Sequence, residues 1–273
     1  MTNWLELFQE TAEEICKEVK PILGSEKARE ITGIGAGGDI TKYIDLLAEA
    51  IVIRNLEAKN ASCTLISEEC GVRKIGKCCS DYVVLDSIDG TTNATRNIPF
   101  VSTSIAHATS GFLNDVDVAL VKDLYNGINF TAKKRKGAFQ DKKPLSSSTV
   151  DTLGKAIIAV DLSCQEKLPA LINKILPILC KTLKIRIMGS TALEVCYVAS
   201  GALDAFLDFR GRTRATDLAA AYLILQESGG IIVTPNNEDL NIPLKADART
   251  AFLSAANKTI CNEILHYLKA RKG

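Results

Sequence analysis

Apolar residues recur at helical spacing where the chain opens. Trp4, Phe8, Ile15, Val19 and Ile22, closed by Pro21 and Gly24, predict an amphipathic helix. A glycine-rich stretch at 33–38 interrupts the pattern. A second helical stripe then runs through Ile44, Leu47, Ala48, Ile51 and Leu56, over about 41–56. Two continuous apolar runs, 63–66 and 82–85, read as buried strands. From 102 to 140 the period shortens to extended segments at 104–108, 116–121 and 128–132, separated by turn residues, which predicts an antiparallel meander.

A polar connector, Pro144-Leu145-Ser146-Ser147-Ser148, divides the chain into an N-terminal α+β domain, 1–148, and a C-terminal α/β domain, 149–273. Beyond it, strands at 157–160, 185–188, 205–208 and 231–233 alternate with helices at 168–183, 192–200 and 216–228. A strand at Phe252-Leu253 and a helix over 258–270 close the chain. Antiparallel segments mixed with βα units predict a layered α/β (α+β) sandwich.

Composition narrows the function classes. The 273 residues are 47% hydrophobic and 24% charged, ample to bury a large core and unlike a disordered chain. Balanced charge, 33 Lys+Arg against 32 Asp+Glu, gives no electrostatic reason to expect nucleic-acid or membrane-surface binding. None of the nine cysteines forms a Cys-x-x-Cys pair, and the tight cluster Cys70, Cys78 and Cys79 makes a poor tetrahedral zinc site, so free thiols are expected. The N-terminal segment has no signal-peptide pattern. The most apolar stretch, 168–179, is broken by Pro169, Lys174 and Pro177, so it is not expected to span a bilayer. A cytoplasmic protein is the default expectation.

Gly33-Ile34-Gly35-Ala36-Gly37-Gly38 matches the Gly-x-Gly-x-x-Gly dinucleotide fingerprint by letter. That fingerprint must leave a buried apolar strand, whereas Lys27-Ala28-Arg29-Glu30-Ile31-Thr32 precedes it here, and Glu68 lies too far downstream to hold a ribose. A mobile surface loop is the preferred reading. A noncatalytic nucleotide-binding module using residues 33–38 stays as the alternative.

The segment Val83-Val84-Leu85-Asp86-Ser87-Ile88-Asp89-Gly90-Thr91-Thr92-Asn93 carries the chemistry. An apolar strand delivers two carboxylates at its C-terminal end, where open α/β sheets place ligands. Gly90 and Thr91 then suit a turn or helix start whose free amides attract an anion. Two exposed acids capping a helix would look the same. Thr64-Leu65-Ile66-Ser67-Glu68-Glu69 repeats the pattern of acid after apolar strand, and Asp217 opens a small-residue helix, where it could also simply complement the helix dipole. Oxygen donors without nearby His or Cys select hard cations such as Mg²⁺ or Mn²⁺. The only histidines, His107 and His266, fall in an alternating strand and the terminal helix and read as structural; no Gly-x-Ser-x-Gly elbow supports a serine hydrolase.

Asp86-Ser87-Ile88-Asp89-Gly90-Thr91-Thr92-Asn93 resembles the inositol monophosphatase signature Asp-Pro-Ile-Asp-Gly-Thr-Thr-Asn. Ser67-Glu68-Glu69 resembles the family's Gly-Glu-Glu, and Thr41-Lys42-Tyr43-Ile44-Asp45 its early segment of a Thr followed by an Asp. Asp217, Ala219-Ala220 and Glu227-Ser228-Gly229-Gly230 are similar to its C-terminal motif. The pattern runs in register from about residue 39 to 233 and looks most like the archaeal-type enzymes acting on fructose 1,6-bisphosphate and inositol monophosphate. Ser87 in place of Pro is expected to loosen its loop, Thr216 stands where Trp often precedes the aspartate, and Ile34 stands where many members have a metal-associated Lys.

The resemblance implies a layered αβαβα sandwich and a Mg²⁺-dependent phosphatase with two or three ions per site, Mn²⁺ being possible. It implies that Glu68, Asp86 and the Ile88 carbonyl hold one ion, and Asp86, Asp89 and Asp217 a second. Asp45 and Thr91 then orient the attacking water, and the phosphate sits on the Gly90 and Thr91 amides. Arg210 replaces a hydroxyl-binding Glu of monophosphate-specific relatives; with Arg186, Arg212 and Arg214 it is either a solvated basic surface or a grip on a distal phosphate. Gly189 and Ser190 are expected on the sugar side. The expected substrates are fructose 1,6-bisphosphate and inositol monophosphates, with 3′-phosphoadenosine 5′-phosphate or NADP(H) as alternatives within the family. A homodimer is implied.

Overall fold

The computed structural model describes residues 2–36, 38–77 and 79–269; Gly37, Cys78 and the expected helix end at Ala270 lie outside them. The opening stripe forms α1 (Trp4–Val19), followed by α2 (Glu26–Arg29) and a hairpin of β1 (Ile31–Ile34) and β2 (Ile40–Lys42). The fingerprint-like glycines therefore sit in an exposed hairpin, not between a buried strand and a helix. Next come α3 (Tyr43–Ala58), β3 (Cys63–Ser67), β4 (Gly71–Ile75), β5 (Asp81–Asp89), α4 (Thr91–Arg96) and the meander β6 (Ser102–Ala108), β7 (Val116–Asp123), β8 (Asn129–Lys133), β9 (Ala138–Gln140) and β10 (Lys143–Pro144).

After the connector the chain forms β11 (Ile157–Val160), α5 (Leu168–Leu179), β12 (Lys184–Arg186), α6 (Thr191–Ala199), β13 (Ala205–Arg214), α7 (Ala215–Glu227), β14 (Ile231–Val233), β15 (Arg249–Ala255) and α8 (Lys258–Lys269). An eight-stranded sheet, ordered β10-β9-β8-β7-β6-β5-β3-β4, and a five-stranded sheet, β12-β11-β13-β15-β14, result. Helices α1 and α3 cover one face of the larger sheet, α6 and α7 fill the space between the sheets, and α5 and α8 cover the far face of the smaller one. That is the αβαβα sandwich. The described helices include none long and apolar enough to cross a membrane.

Alternation along the apolar strands assigns each side chain to a layer. On β5, Val83 and Leu85 pack towards α1 and α3, while Val84 packs towards α6 and α7. With both faces covered, the strand reads as a continuous apolar run. Its catalytic-looking end is irregular: Asp86 pairs with Ser104 but Asp89 with Ser102, so one extra residue is inserted between them. In a regular strand two residues three apart face opposite sides; the bulge restores both aspartates to the α6–α7 side while Ile88 packs in the α1–α3 layer.

Candidate active site

Five chain segments converge where the ends of β3 and β5 and the starts of α3, α6 and α7 meet. Glu68, Asp86 and Asp217 place one carboxylate oxygen each within 4.8 Å of one another. They line a cleft of about 310 Å³ with Ile88, Asp89, Gly90 and Thr91. Asp217 is the third residue of α7, and its carboxylate accepts the Arg214 amide at 3.0 Å. Asp45 has the same place in α3 and accepts the Lys42 amide at 2.9 Å. Each caps its helix, and Asp217 also keeps an oxygen in the acidic cluster, so complementing the helix dipole and lining the cleft are compatible.

Asp45 is buried, and its second oxygen accepts a 3.0 Å hydrogen bond from the Thr91 hydroxyl. Thr91 lies equally near the Ile88 carbonyl, also at 3.0 Å. A hydroxyl has a single proton, so it serves one acceptor at a time. Gly90, with φ +90°, makes the turn into α4; a Cβ there would stand 3.1 Å from the carbonyls of Gly189 and Phe100. Only glycine fits both requirements.

Asp89 is fixed by the start of α6. It accepts the Ser190 hydroxyl at 2.6 Å, the Ala192 amide at 2.7 Å and the Thr191 amide at 3.2 Å. Ser190 is therefore buried and turned onto Asp89, holding a carboxylate in place instead of facing a sugar. Gly189 does line the cleft.

Ser87 also departs from expectation. It sits inside the bulge of β5, buried, and donates to the Asp45 carbonyl at 3.2 Å, tying the strand to α3 where a loosened loop was expected. The glycine hairpin is tied down too: Ala36 donates its amide to the Glu69 carbonyl at 3.0 Å, Thr41 donates to the Glu69 carboxylate, and a Cβ on Gly35 would meet that carboxylate at 2.6 Å.

The arginines divide. Arg210 lines the cleft, but its guanidinium is already engaged by Asp208, at 2.9 and 2.5 Å, and by Asp161 at 2.8 Å. Arg214 pairs with Glu68 at 2.8 Å and with Asp39 of the hairpin. Arg186 is not brought to the cleft: it is exposed on the edge strand β12, donating to the carbonyl of Ile185. Asp161, at the end of β11, lines the cleft and was missed, although Ile157-Ile158-Ala159-Val160-Asp161 carries the same signal of acid after apolar strand as Glu68. His107 lies at the opposite end of β5, stacked on Trp4 and paired with Asp117 and Asp81. The eight described cysteines are free thiols.

Crowded buried carboxylates resist ionising. Burial, then Asp217, raises Glu68 to about 8. Burial followed by Asp89, Asp217 and Glu68 pushes Asp86 well up. Burial lifts Asp89 to about 7 against the opposing Ser190 bond, and Asp45 to about 6 against the Lys42 amide and Thr91. Such a set gains most from a cation, and all-oxygen donors fit a hard divalent one.

Comparison with known proteins agrees with this geometry. The family model described as the inositol monophosphatase family matches residues 4–270. The chain is 36% identical to the bifunctional NADP phosphatase/NAD kinase of Methanococcus maripaludis, over 97% of this chain and 48% of that protein, so it spans about half that relative's length. It is 35% identical to the fructose-1,6-bisphosphatase/inositol-1-monophosphatase of Methanothermobacter thermautotrophicus, over 97% of this chain and 96% of that one. The crystal structure of an inositol monophosphatase-fructose 1,6 bisphosphatase superposes with a TM-score of 0.85 at 30% identity, covering 98% of this chain and 100% of its own.

Proposed function

Because the chain belongs to the inositol monophosphatase family, we propose that it is a Mg²⁺-dependent phosphatase hydrolysing sugar phosphates, fructose 1,6-bisphosphate and inositol monophosphates among them, by direct attack of water. The observation that carries this is the convergence of Glu68, Asp86 and Asp217 beside the Thr91–Asp45 pair. Glu68, Asp86 and the Ile88 carbonyl would hold one ion, and Asp86, Asp89 and Asp217 a second, with room in the donor set for Mn²⁺ or a third ion. When bound, such ions lower the pKa of water and neutralise charge on the phosphoryl oxygens.

The remaining work falls to the chain's own groups. Ionised Asp45 accepts the hydrogen bond donated by the Thr91 hydroxyl, which leaves the lone pairs of the Thr91 oxygen to accept a hydrogen bond from water and hold it in line. The amides of Gly90 and Thr91 face the phosphate. Ser190 and the first amides of α6 keep Asp89 aimed while its remaining lone pairs face the cleft. No nucleophilic side chain is needed, so no phosphoenzyme forms.

A second reading, NADP phosphatase, is favoured by the relative of that name, 36% identical over nearly this whole chain. A cytoplasmic homodimer acting on small molecules completes the proposal and rests on the family. The test is phosphate release from fructose 1,6-bisphosphate, inositol 1-phosphate and NADP⁺, with Mg²⁺ and with EDTA. Turnover should need the metal, and Asp86→Asn should nearly abolish it in a folded protein. Full activity in EDTA, or a near wild-type rate for Asp86→Asn, would overturn the metal assignment.

A further inference from the structure

At the end of the larger sheet away from the cleft lies a concavity of about 890 Å³, walled by the start of α1, the end of α3 and the sheet residues Asp81, His107 and Asp117. Asp81 opens β5, the strand whose far end carries Asp86 and Asp89. Five residues at about 3.3 Å each put Asp81 and Asp86 roughly 16 Å apart. His107 is the penultimate residue of β6, and its ring stacks on Trp4 of α1 with the centroids 4.5 Å apart. One imidazole therefore joins α1, β5, β6 and β7.

Both ring nitrogens face carboxylates, and the two contacts differ. Nδ1 lies 2.5 Å from Asp117 Oδ1, a hydrogen bond in which the ring is the donor, because a carboxylate only accepts. In the neutral ring Nε2 then carries a lone pair. Only 5% of the side chain is exposed, and Nε2 is buried with no hydrogen bond among the described residues. It faces Asp81 Oδ2 at 3.4 Å, and that oxygen is an acceptor too. Two acceptors so placed call for a cation between them, and the spacing fits one. An imidazole nitrogen and a carboxylate oxygen, each about 2.0–2.2 Å from a tetrahedral ion, stand about 3.4 Å apart. Asp117 supplies the remaining part, since a metal-bound histidine almost always donates its other N–H to a carboxylate, a carbonyl or water. That bond fixes the tautomer and raises the basicity of the ligating nitrogen.

We propose that His107 Nε2 and the Asp81 carboxylate hold a divalent transition metal of the zinc type, with Asp117 as the residue that positions the ring. A nitrogen donor favours such an ion over Mg²⁺, which suits the all-oxygen cleft, so the two ends of β5 take different classes of cation. Glu68, Asp86 and Asp217 gather three protein donors, whereas this site has two. Water from the concavity completes its shell, and the ion exchanges instead of being locked in. Bound there, it ties β5 to β6 and seats α1 through the Trp4 stack. This site lies outside the phosphatase reading and does not depend on it.

Trp4 is the only tryptophan of the chain and lies on the ligating ring, so its emission reports on this ion and not on the cleft. The probe is Ni²⁺, which quenches indole emission, titrated into the full chain in excess Mg²⁺, with Zn²⁺ as a non-quenching competitor. Saturable quenching that Zn²⁺ reverses is expected. Asp81→Asn and His107→Gln should abolish it, and Asp117→Asn should weaken the apparent affinity about 10- to 100-fold. Asp86→Asn, in the cleft, should leave it unchanged. Zn²⁺ should also raise the wild-type melting temperature in excess Mg²⁺, and that rise should disappear in Asp81→Asn. Asp81 is 39% exposed, so its variant keeps the metal-free melting temperature and carries the test if His107→Gln fails to fold. No saturable quenching in the wild type, quenching that Asp81→Asn leaves intact, or quenching that Asp86→Asn removes would each overturn the site. None of these outcomes alters the expectation for phosphate release, so the two readings fail separately.

Discussion

At Arg210, charge alone misleads. Its guanidinium is mostly buried, Asp208 beneath it is fully buried, and Thr213 donates to the same carboxylate. Removing the cation strands a buried anion, which costs roughly 3–5 kcal/mol in comparable pairs. Arg210→Ala should therefore lower stability by about that much and reduce kcat/KM on mono- and bisphosphates alike, measured by denaturant unfolding and steady-state kinetics. A selective loss on bisphosphates in a fully stable variant would return Arg210 to the role of phosphate grip. Thr91 is the opposite case, since its hydroxyl is poised between Asp45 and the Ile88 carbonyl. Thr91→Ala should lower kcat about a hundredfold or more with little change in KM, because the hydroxyl orients water without holding substrate. Asp45→Asn should do the same, and an effect confined to KM in both would break the proposed pair.

At the scale of elements, the acids at strand ends were legible because burial on both faces forces an apolar run and leaves the first polar residue at the sheet's edge. Glu68 and Asp86 could be read that way, and Asp161 follows β11 by the same rule; Asp217 could be read differently, as the acid that opens a small-residue helix. The bulge in β5 could not, because one inserted residue leaves the local pattern unchanged while reversing which face Asp89 takes. Nor could the rotation of Ser190 onto Asp89, the pairing of Arg210 with acids 2 and 49 residues away, or the exile of Arg186 to an edge strand, since each depends on where a distant element packs. Glu194 is a further hidden part. It is buried in α6, accepts the Met188 amide at 3.2 Å, and is raised by burial to about 9, so it is protonated near neutrality. Glu194→Gln preserves shape and the acceptor without the charge. Its melting temperature should match the wild type near pH 4, where both states keep Glu194 neutral, and exceed it by a margin that widens up to about pH 9, because the unfolded chain gives up that proton while the native state holds it; a value below the wild type at pH 7 would mean the carboxylate is held ionised.

For the whole molecule, the same crowding that prepares the site works against the fold when no cation is bound. Glu68, Glu69 and Asp89 are raised to about 8, 7 and 7, chiefly by burial, and burial raises Asp86 in the same direction. In unfolded chain such carboxyls titrate near 4. Between about pH 4 and pH 8 the native state therefore binds more protons than the unfolded state, and unfolding free energy falls as pH rises through that window. This is the reverse of a salt-bridged carboxylate, whose stabilisation grows with pH. A divalent cation replaces those protons, so binding should release protons near pH 7 and stabilise most at the alkaline end, by an amount that grows with free metal over its Kd. The measurement is melting temperature from pH 5 to pH 9 in EDTA and in excess Mg²⁺. In EDTA it should decline across that range, and the gap between the two curves should widen with pH. Asp86→Asn, which removes one of the mutually repelling charges, should flatten the EDTA curve and shrink the response to Mg²⁺ together. A metal-free melting temperature that rises from pH 5 to pH 8, or a response to Mg²⁺ that Asp86→Asn leaves intact, would place the cation elsewhere than in this cluster.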